Sequence, residues 1–136
     1  MAMNESTEEP LVSVIISSYN HFSYVEESVL SVLNQTYKNI ELLVVDDGSV
    51  DGSAELLSTL SRKYGFSFKA QRNQGLSRTL NETIAISKGE FIAPFGSDDI
   101  MLPERIARQV EYMKSRPSVG VCAGAVQSVD SAGNLR

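Results

Sequence analysis

The sequence predicts an α/β fold in which a mostly parallel sheet carries helices on both faces. Short apolar runs rich in β-branched residues alternate along the chain with segments whose apolar residues recur at helical spacing. Such alternation produces βαβ units with right-handed crossovers, which lay the helices over the sheet. The length of 136 residues suits one such unit, and 42% hydrophobic with 21% charged residues is typical of a folded globular chain.

Charge and composition exclude several classes of function. Twelve basic and seventeen acidic residues give a net charge of −5, which disfavours non-specific binding to nucleic acid. A single cysteine and a single histidine allow neither an internal disulfide nor a His-rich metal site, so oxygen atoms should ligate any metal. No apolar run reaches the roughly 18 residues of a membrane span, and the first residues lack a signal-peptide pattern. We therefore expect a cytoplasmic protein, with any membrane association made through regions outside this chain.

The N-terminal part of the chain predicts a tail, a strand and a helix. Residues 1–10 are polar and acidic and are expected to form a flexible tail. The β-branched run over 11–16 predicts an interior strand covered on both faces. Ser23 and Glu26 match a capping box ahead of apolar residues at helical spacing, which predicts a helix over about 23–36.

A second strand and helix follow, and then a third strand. The apolar run over 40–45 predicts another buried strand. Three leucines between 56 and 60 predict a helix, and Gly65 fits its C-terminal end. Residues 66–70 alternate between apolar and polar, which predicts a shorter strand with one face toward water.

The third helix is predicted from apolar residues spaced four apart. Leu76, Leu80 and Ile84 share one helical face, and the helix is expected to close at Lys88-Gly89. Arg78 lies about 200° around the helix from Leu80, so its side chain is expected to be solvated.

The fourth strand and fourth helix carry prolines. Residues 90–95 predict a strand that is broken near its end by Pro94. Pro103 suits the first turn of a helix, whose buried face should hold Ile106, Val110 and Met113.

The C-terminal part and the single histidine have modest expected roles. Residues 119–129 predict an extended stretch in which Cys122 is a small core residue, and residues 130–134 predict a turn. His21 is expected to face solvent near a helix start.

The loops after the first, second and fourth strands concentrate acidic residues. Asp46-Asp47 and Asp98-Asp99 follow two of these strands, and ligands bind parallel α/β sheets at this carboxyl edge. Four carboxylates at one edge require a cation, and Mg²⁺ or Mn²⁺ with a phosphate co-ligand uses such ligands. A phosphorylated metabolite is the ligand indicated. Alternatively, Asp47-Gly48-Ser49 is a turn whose acid caps a helix.

Four separated blocks resemble the family 2 glycosyltransferases, in order and in spacing: SVIISSYN, NIELLVVDDGSVDGS, NQGLSRTLNETIAISKGEFIAPF and GSDD. The resemblance implies a Rossmann-like GT-A fold over residues 11–136, as the nucleotide-sugar-binding part of a truncated domain. It also implies transfer of a sugar, with inversion, from a nucleotide diphosphate to an acceptor. A UDP-sugar is the favoured donor, and a glycan or lipid-linked molecule is the expected acceptor.

The same resemblance assigns roles to individual residues. Ser17, Tyr19 and Asp47 are expected to cradle the base, with Tyr19 stacking on uracil. Asp98 is expected to reach the ribose, and Asp99 is expected to bind the divalent cation, Mn²⁺ or Mg²⁺. Tyr19 has a second interpretation, as a partly buried aromatic residue that closes the sheet edge.

The chain departs from the family pattern in three ways. Gly96 replaces the first acid of the metal motif, and Leu80 stands where an Arg often precedes Asn81. The family supplies its acceptor site and catalytic Asp base from a second half, so we expect the base beyond Arg136.

Two other functions are alternatives to sugar transfer. A phosphorelay receiver needs its acidic pair after the first strand, where this chain has Tyr19-Asn20. A non-catalytic module that binds a sugar nucleotide is compatible with the sequence.

Overall fold

The computed structural model describes residues 9–136, so the first eight residues of the predicted tail lie outside the described residues. Strands and helices alternate as β1 (Val12–Ser18), α1 (Phe22–Leu33), β2 (Ile40–Asp46), α2 (Ser53–Tyr64), β3 (Ser67–Ala70), α3 (Leu76–Ile86), β4 (Phe91–Gly96) and α4 (Arg105–Lys114). The sheet order is β3-β2-β1-β4, and all three pairings are parallel. The predicted α/β fold with a parallel sheet is confirmed.

The two faces of the sheet pack against different helices. Val12, Val14 and Ile16 of β1 belong to one buried cluster with apolar residues of α1, α2 and α4. The alternate residue Ile15 is fully buried on the opposite face. That face meets α3, since Leu43, Val45 and Thr83 line one small cavity. The interior position predicted for the first strand is confirmed, because β1 lies between β2 and β4.

The capping box predicted for α1 does not form. The helix begins at Phe22 and ends at Leu33, and its N-cap is His21, which makes no side-chain capping bond. Instead, the backbone N–H of Phe22 donates to Oδ2 of Asp51 at 2.9 Å. The cap therefore comes from a neighbouring loop 29 residues along the chain, a contact that local spacing does not show.

The buried face predicted for α3 is wrong. Thr79 and Thr83 are the buried residues of this helix, whereas Leu76 and Ile84 are 60% and 39% exposed. The Thr83 hydroxyl donates to the carbonyl of Thr79 at 2.7 Å, so it enters the interior with its hydrogen bond made. The helix ends at Ile86, before the predicted Lys88-Gly89.

Both prolines behave differently from their predictions. β4 continues through Pro94 to Gly96. A proline is tolerated there because β4 is an edge strand of this sheet, paired to β1 alone. Pro103 lies in the turn before α4, which begins at Arg105, and its carbonyl accepts a hydrogen bond from Thr36. Ile106 and Val110 are buried as predicted, whereas Met113 is only partly buried.

The C-terminal stretch is not a strand. Within residues 9–136, the segment 119–129 shows only one isolated bridge, between Val129 and Leu135. Val126 is 95% exposed, and Cys122 is partly exposed instead of being core. Apolar composition predicted the strand, but no neighbouring strand pairs with the segment in the described chain. The turn is confirmed, since Asp130 Oδ1 accepts from two backbone N–H groups. None of the helices described is long and apolar enough to cross a membrane.

Candidate functional site

The carboxyl edge of the sheet gathers the loops that follow β1, β2 and β4. In the register, Ser18 lies beside Asp46 and Ser17 lies beside Gly96, so the three strands end together. Two hydrogen bonds join the first two loops. The N–H of Asn20 donates to Ser49 Oγ at 2.8 Å, and the N–H of Val50 donates to Asn20 Oδ1 at 2.9 Å. The predicted site residues thus share one edge built from separate parts of the sequence.

Asp47 is the most firmly held of the predicted residues. It is 2% exposed, and its Oδ1 accepts from the side chain of Gln71 at 2.9 Å and the N–H of Gln74 at 3.0 Å. Its Oδ2 accepts from the N–H of Gly75, the N-cap residue of α3, at 2.9 Å. Burial alone would raise the pKa of Asp47, but these hydrogen bonds to the charged form lower it below the ordinary value. Asp47 therefore anchors the loop that leads into α3, but it makes no side-chain capping bond to that helix.

Asp46 contributes a feature that the sequence did not indicate. Its Oδ2 accepts from the N–H of Ser49 at 2.9 Å, which closes the turn after β2. Its Oδ1 and the hydroxyl of Ser18 are buried without a hydrogen-bond partner in the part of the chain that the structure describes. The strand register places these two residues side by side at the end of β1 and β2. Only the pairing of distant strands brings them together, so sequence spacing gave no signal for it.

Ser17 and Tyr19 lie where β1 meets this edge. Ser17 is partly exposed near the end of β1, and the side chain of Tyr19 is 49% exposed just beyond it. Half-exposure fits both interpretations of Tyr19, as a ring that stacks on a base and as a partly buried aromatic residue at the sheet edge. Its contact with a base stays a prediction.

The loop after β4 has one buried residue followed by two exposed acids. Ser97 is buried, whereas Asp98 and Asp99 are exposed. A Cβ atom built on Gly96 would lie 2.5 Å from Oδ2 of Asp99. A side chain at position 96 would therefore require the Asp99 carboxylate to move. The glycine that replaces the first acid of the family motif lets Asp99 fold back over the strand end.

Helix α1 holds this loop through polar side chains. The hydroxyl of Ser28 donates to the carbonyl of Gly96 at 2.7 Å. Nδ1 of His21 lies 2.6 Å from Oγ of Ser97, within hydrogen-bonding distance. His21 was expected to face solvent, and this is wrong. The ring is partly buried because it bridges the loops that follow β1 and β4.

The same side of α1 continues this attachment toward α4. Ser31 Oγ accepts from the N–H of Met101 at 2.9 Å. Gln35, just after the helix, donates to the carbonyl of Leu102 at 2.8 Å and accepts from the N–H of Ile106 at 3.1 Å. Sequence reasoning missed these residues. The available signal was the spacing of Ser28, Ser31 and Gln35 at i, i+3 and i+7, directly beside the apolar stripe of α1.

The acids fit a cation that takes some of its ligands from the protein and the others from a bound phosphate. Among residues 9–136, no three His, Cys, Asp or Glu side chains are grouped to hold a metal by themselves. Mg²⁺ commonly binds through one or two carboxylates plus substrate phosphates and water. Asp99 is exposed at the edge and would supply one such carboxylate.

Comparison with known proteins gives the family to which this fold belongs. Residues 13–135 match the family described as "Glycosyl transferase family 2", and the chain belongs to this family. An uncharacterized glycosyltransferase of Nostoc sp. is 38% identical over 112 residues, covering 81% of this chain and 35% of that protein. One from Methanocaldococcus jannaschii is 32% identical over 132 residues, covering 94% and 46%. The chain thus spans between a third and a half of the length of these relatives.

Solved structures show the same fold. The mannosyltransferase PcManGT from Pyrobaculum calidifontis, in complex with GDP-Man and Mn²⁺, is similar with a TM-score of 0.73 and 25% identity. That match covers 84% of this chain and 35% of that one. TarS of S. aureus, residues 1–349 in complex with UDP-GlcNAc, gives a TM-score of 0.72 at 22% identity, covering 86% and 37%. The GT-A fold is confirmed, and the comparisons favour neither the receiver nor the non-catalytic module.

Proposed function

We propose that this chain is the donor-binding part of a metal-dependent glycosyltransferase that acts with inversion. The observation that carries the proposal is the carboxyl edge of the sheet, where Tyr19, Asp47 and the pair Asp98-Asp99 are brought to one side of a family 2 domain. Ligands of parallel α/β sheets bind at this edge.

The nucleotide is proposed to lie against the ends of β1 and β2. Tyr19 offers a half-exposed ring for stacking on a base, and Ser17 lies two residues before it. Oδ2 of Asp47 accepts one hydrogen bond and retains a second acceptor site for an N–H of the base. Uracil, thymine and guanine each have such an N–H group, so UDP is proposed first on the family resemblance and not on this contact. The similar structures were solved with UDP-GlcNAc and with GDP-Man.

The diphosphate is proposed to lie over the loop after β4. Asp98 would contact the ribose, and Asp99 would hold Mn²⁺ or Mg²⁺. When bound there, the cation would offset the negative charge on the nucleoside diphosphate as it leaves. The Mn²⁺ in PcManGT supports a divalent ion in this family.

The acceptor and the catalytic base are proposed to come from protein outside these 136 residues. In the reaction, the acceptor hydroxyl oxygen bonds to the anomeric carbon while the bond from that carbon to the diphosphate breaks. A base takes the hydroxyl proton. A glycan or lipid-linked acceptor is proposed, with the reaction on the cytoplasmic side of a membrane or in the cytoplasm.

Calorimetric titration tests the proposal. UDP, GDP and dTDP are each titrated into the 136-residue chain with Mn²⁺, with Mg²⁺ and with EDTA. We expect at least one nucleotide, UDP first, to bind more tightly with metal than without it. Failure of all three to bind at millimolar concentration with metal present would overturn the donor-site proposal.

A further inference from the structure

His21 and Ser97 form a link between the start of α1 and the loop that carries the acids. Nδ1 of the histidine and Oγ of the serine are 2.6 Å apart, although 76 residues separate them in the sequence. Ser97 is 2% exposed, so its hydroxyl is removed from bulk water and depends on protein partners. The two acids that follow Ser97 are exposed.

The link adjoins a second attachment of the same loop to α1. Ser28 holds the carbonyl of Gly96, and the N–H of Asp99 approaches that same carbonyl at 3.4 Å. Attachment at Gly96 fixes where β4 ends, whereas attachment at Ser97 fixes the residue directly before Asp98. Loss of the Ser97 contact would therefore loosen the backbone directly before Asp98 while leaving the strand end in place.

We propose that His21 is a positioning residue for the Asp98-Asp99 pair. It acts through Ser97, without touching the ligand, by holding the backbone before the two acids in one conformation. Groups that orient metal-binding side chains typically matter nearly as much as the ligands themselves. The inference rests on the proposed function, because it assumes that these acids meet a metal-bound nucleotide.

Packing of the imidazole ring is the competing explanation. The ring lies edge-on to Tyr24, with centroids 6.4 Å apart and planes at 79°. Removing the ring would lose this contact together with the hydrogen bond. Variants that keep one feature and drop the other separate the two explanations. Asparagine places a side-chain nitrogen or oxygen close to the position of Nδ1, glutamine places them near Nε2, and phenylalanine keeps a ring without either atom.

The test measures UDP binding to His21→Ala, His21→Asn, His21→Gln, His21→Phe and Ser97→Ala by calorimetry, with Mn²⁺ and with EDTA. We expect Ala, Gln and Phe at position 21 to weaken the Mn²⁺-dependent affinity roughly 3- to 10-fold, the range that one net hydrogen bond represents. Asn should restore most of it. Ser97→Ala should match His21→Ala, and the double variant should lose no more than either alone. Metal-free UDP affinity should fall by less than the Mn²⁺-dependent affinity, since without metal only the proposed ribose contact of Asp98 is affected.

Each other outcome counts against the inference in a distinguishable way. An unsubstituted chain that binds no nucleotide with metal would remove the proposed function and this inference together. Binding by the unsubstituted chain with unchanged affinity in His21→Ala would overturn the positioning role alone. Rescue by Phe instead of Asn would assign the effect to ring packing. Equal losses with and without Mn²⁺, together with a lower melting temperature in every variant, would show a general structural role.

Discussion

At the scale of single residues, Asp47 illustrates what a sequence does and does not reveal. Because Asp47 follows a buried strand, it was predicted to lie at the carboxyl edge of the sheet, and the structure places it there. Its partners Gln71, Gln74 and Gly75 lie 24 to 28 residues further along the chain. They meet Asp47 because β3 pairs with β2, a pairing that no local pattern encodes. The burial and anchoring of Asp47 could not be predicted for this reason.

Asp47→Asn should make the chain less stable and less sensitive to acid. Because the native pKa of Asp47 is lowered, its contribution is fully present above the ordinary aspartate value of about 3.9 and is lost as pH falls through the native value. At pH 7 the substitution should cost about 1–3 kcal/mol of unfolding free energy, since buried donors lose their acceptor. Denaturant unfolding between pH 2.5 and 7 measures both effects.

Glu26→Gln is the control, because Glu26 is exposed on α1. It should leave the stability profile unchanged. A gap between the Asp47→Asn and unsubstituted chains that stays constant down to pH 2.5 would contradict the assignment to a charged Asp47.

Asp99→Asn should remove the increase in UDP affinity that Mn²⁺ produces, while UDP binding in EDTA persists. The neutral amide is a much poorer ligand for a hard divalent cation than a carboxylate. Asp98→Asn is the matched comparison, since it is expected to weaken UDP binding with and without metal through the ribose. Calorimetry in both conditions distinguishes them. An Asp99→Asn chain that keeps the full Mn²⁺ increment would show that the ion lies elsewhere.

At the scale of helices and strands, prediction succeeded where the signal was local. The first three strands and the C-terminal end of α2 are recognisable because apolar runs and Gly65 mark them in the sequence itself. Prediction failed for α3, whose burial depends on the threonines that face the sheet. It also failed for α1, whose cap is supplied by Asp51. The buried face of a helix and the group that caps it depend on neighbours in space. The spacing of residues along the sequence does not identify these neighbours.

Gly89→Ala should destabilise the start of β4 strongly. A Cβ atom there would lie 2.4 Å from Ser13 Oγ and 2.6 Å from the Ser13 backbone nitrogen. The N–H of Gly89 donates to that same hydroxyl at 2.8 Å. The two backbone segments therefore cannot move apart without losing this hydrogen bond. We expect a loss of about 2 kcal/mol or more in unfolding free energy, as for other overpacked interiors.

Gly120→Ala is the control for this prediction, because within residues 9–136 no atom beyond the adjacent residues lies within 4 Å of a Cβ at that position. Its melting temperature should equal that of the unsubstituted chain. Equal stability of Gly89→Ala and Gly120→Ala would show that the sheet relaxes around the added methyl group.

At the scale of the whole molecule, the family resemblance predicted the GT-A fold and a donor site, whereas the periodicity of apolar residues predicted only a parallel sheet with a ligand-binding edge. Alternation of strands and helices predicted the parallel sheet and the edge that would hold a ligand. The four sequence blocks, taken together, predicted the GT-A fold and its donor site, and the family match over residues 13–135 confirms the family. The attachment of the acidic loop to α1 was not predicted. The apolar stripe was sufficient to predict the helix, so the polar residues of α1 were not considered as contacts.

The 136-residue chain should transfer no sugar at an appreciable rate by itself. It spans about a third of the Nostoc relative, and the proposed acceptor site and base lie outside it. Proton transfer alone typically contributes about 10²- to 10⁴-fold to a rate, and the loss of acceptor positioning adds to this. Nucleotide release from a panel of UDP- and GDP-sugars, with and without acceptor sugars, measures the rate. Robust acceptor-dependent release would contradict the division between donor and acceptor parts.

The position of the metal-bound nucleotide is the central claim, and paramagnetic NMR tests it most directly. In ¹H–¹⁵N spectra of the chain with UDP, substoichiometric Mn²⁺ should broaden first the amides around 18–20, 47–49 and 97–99. Amides near 40–41 and 88–90 should be least affected, since a seven-residue strand places them roughly 20 Å away. Diamagnetic Mg²⁺ should restore the lost signals while keeping the shifts caused by UDP. Broadening centred on the opposite edge, or broadening independent of UDP, would contradict a donor site at the carboxyl ends of the strands.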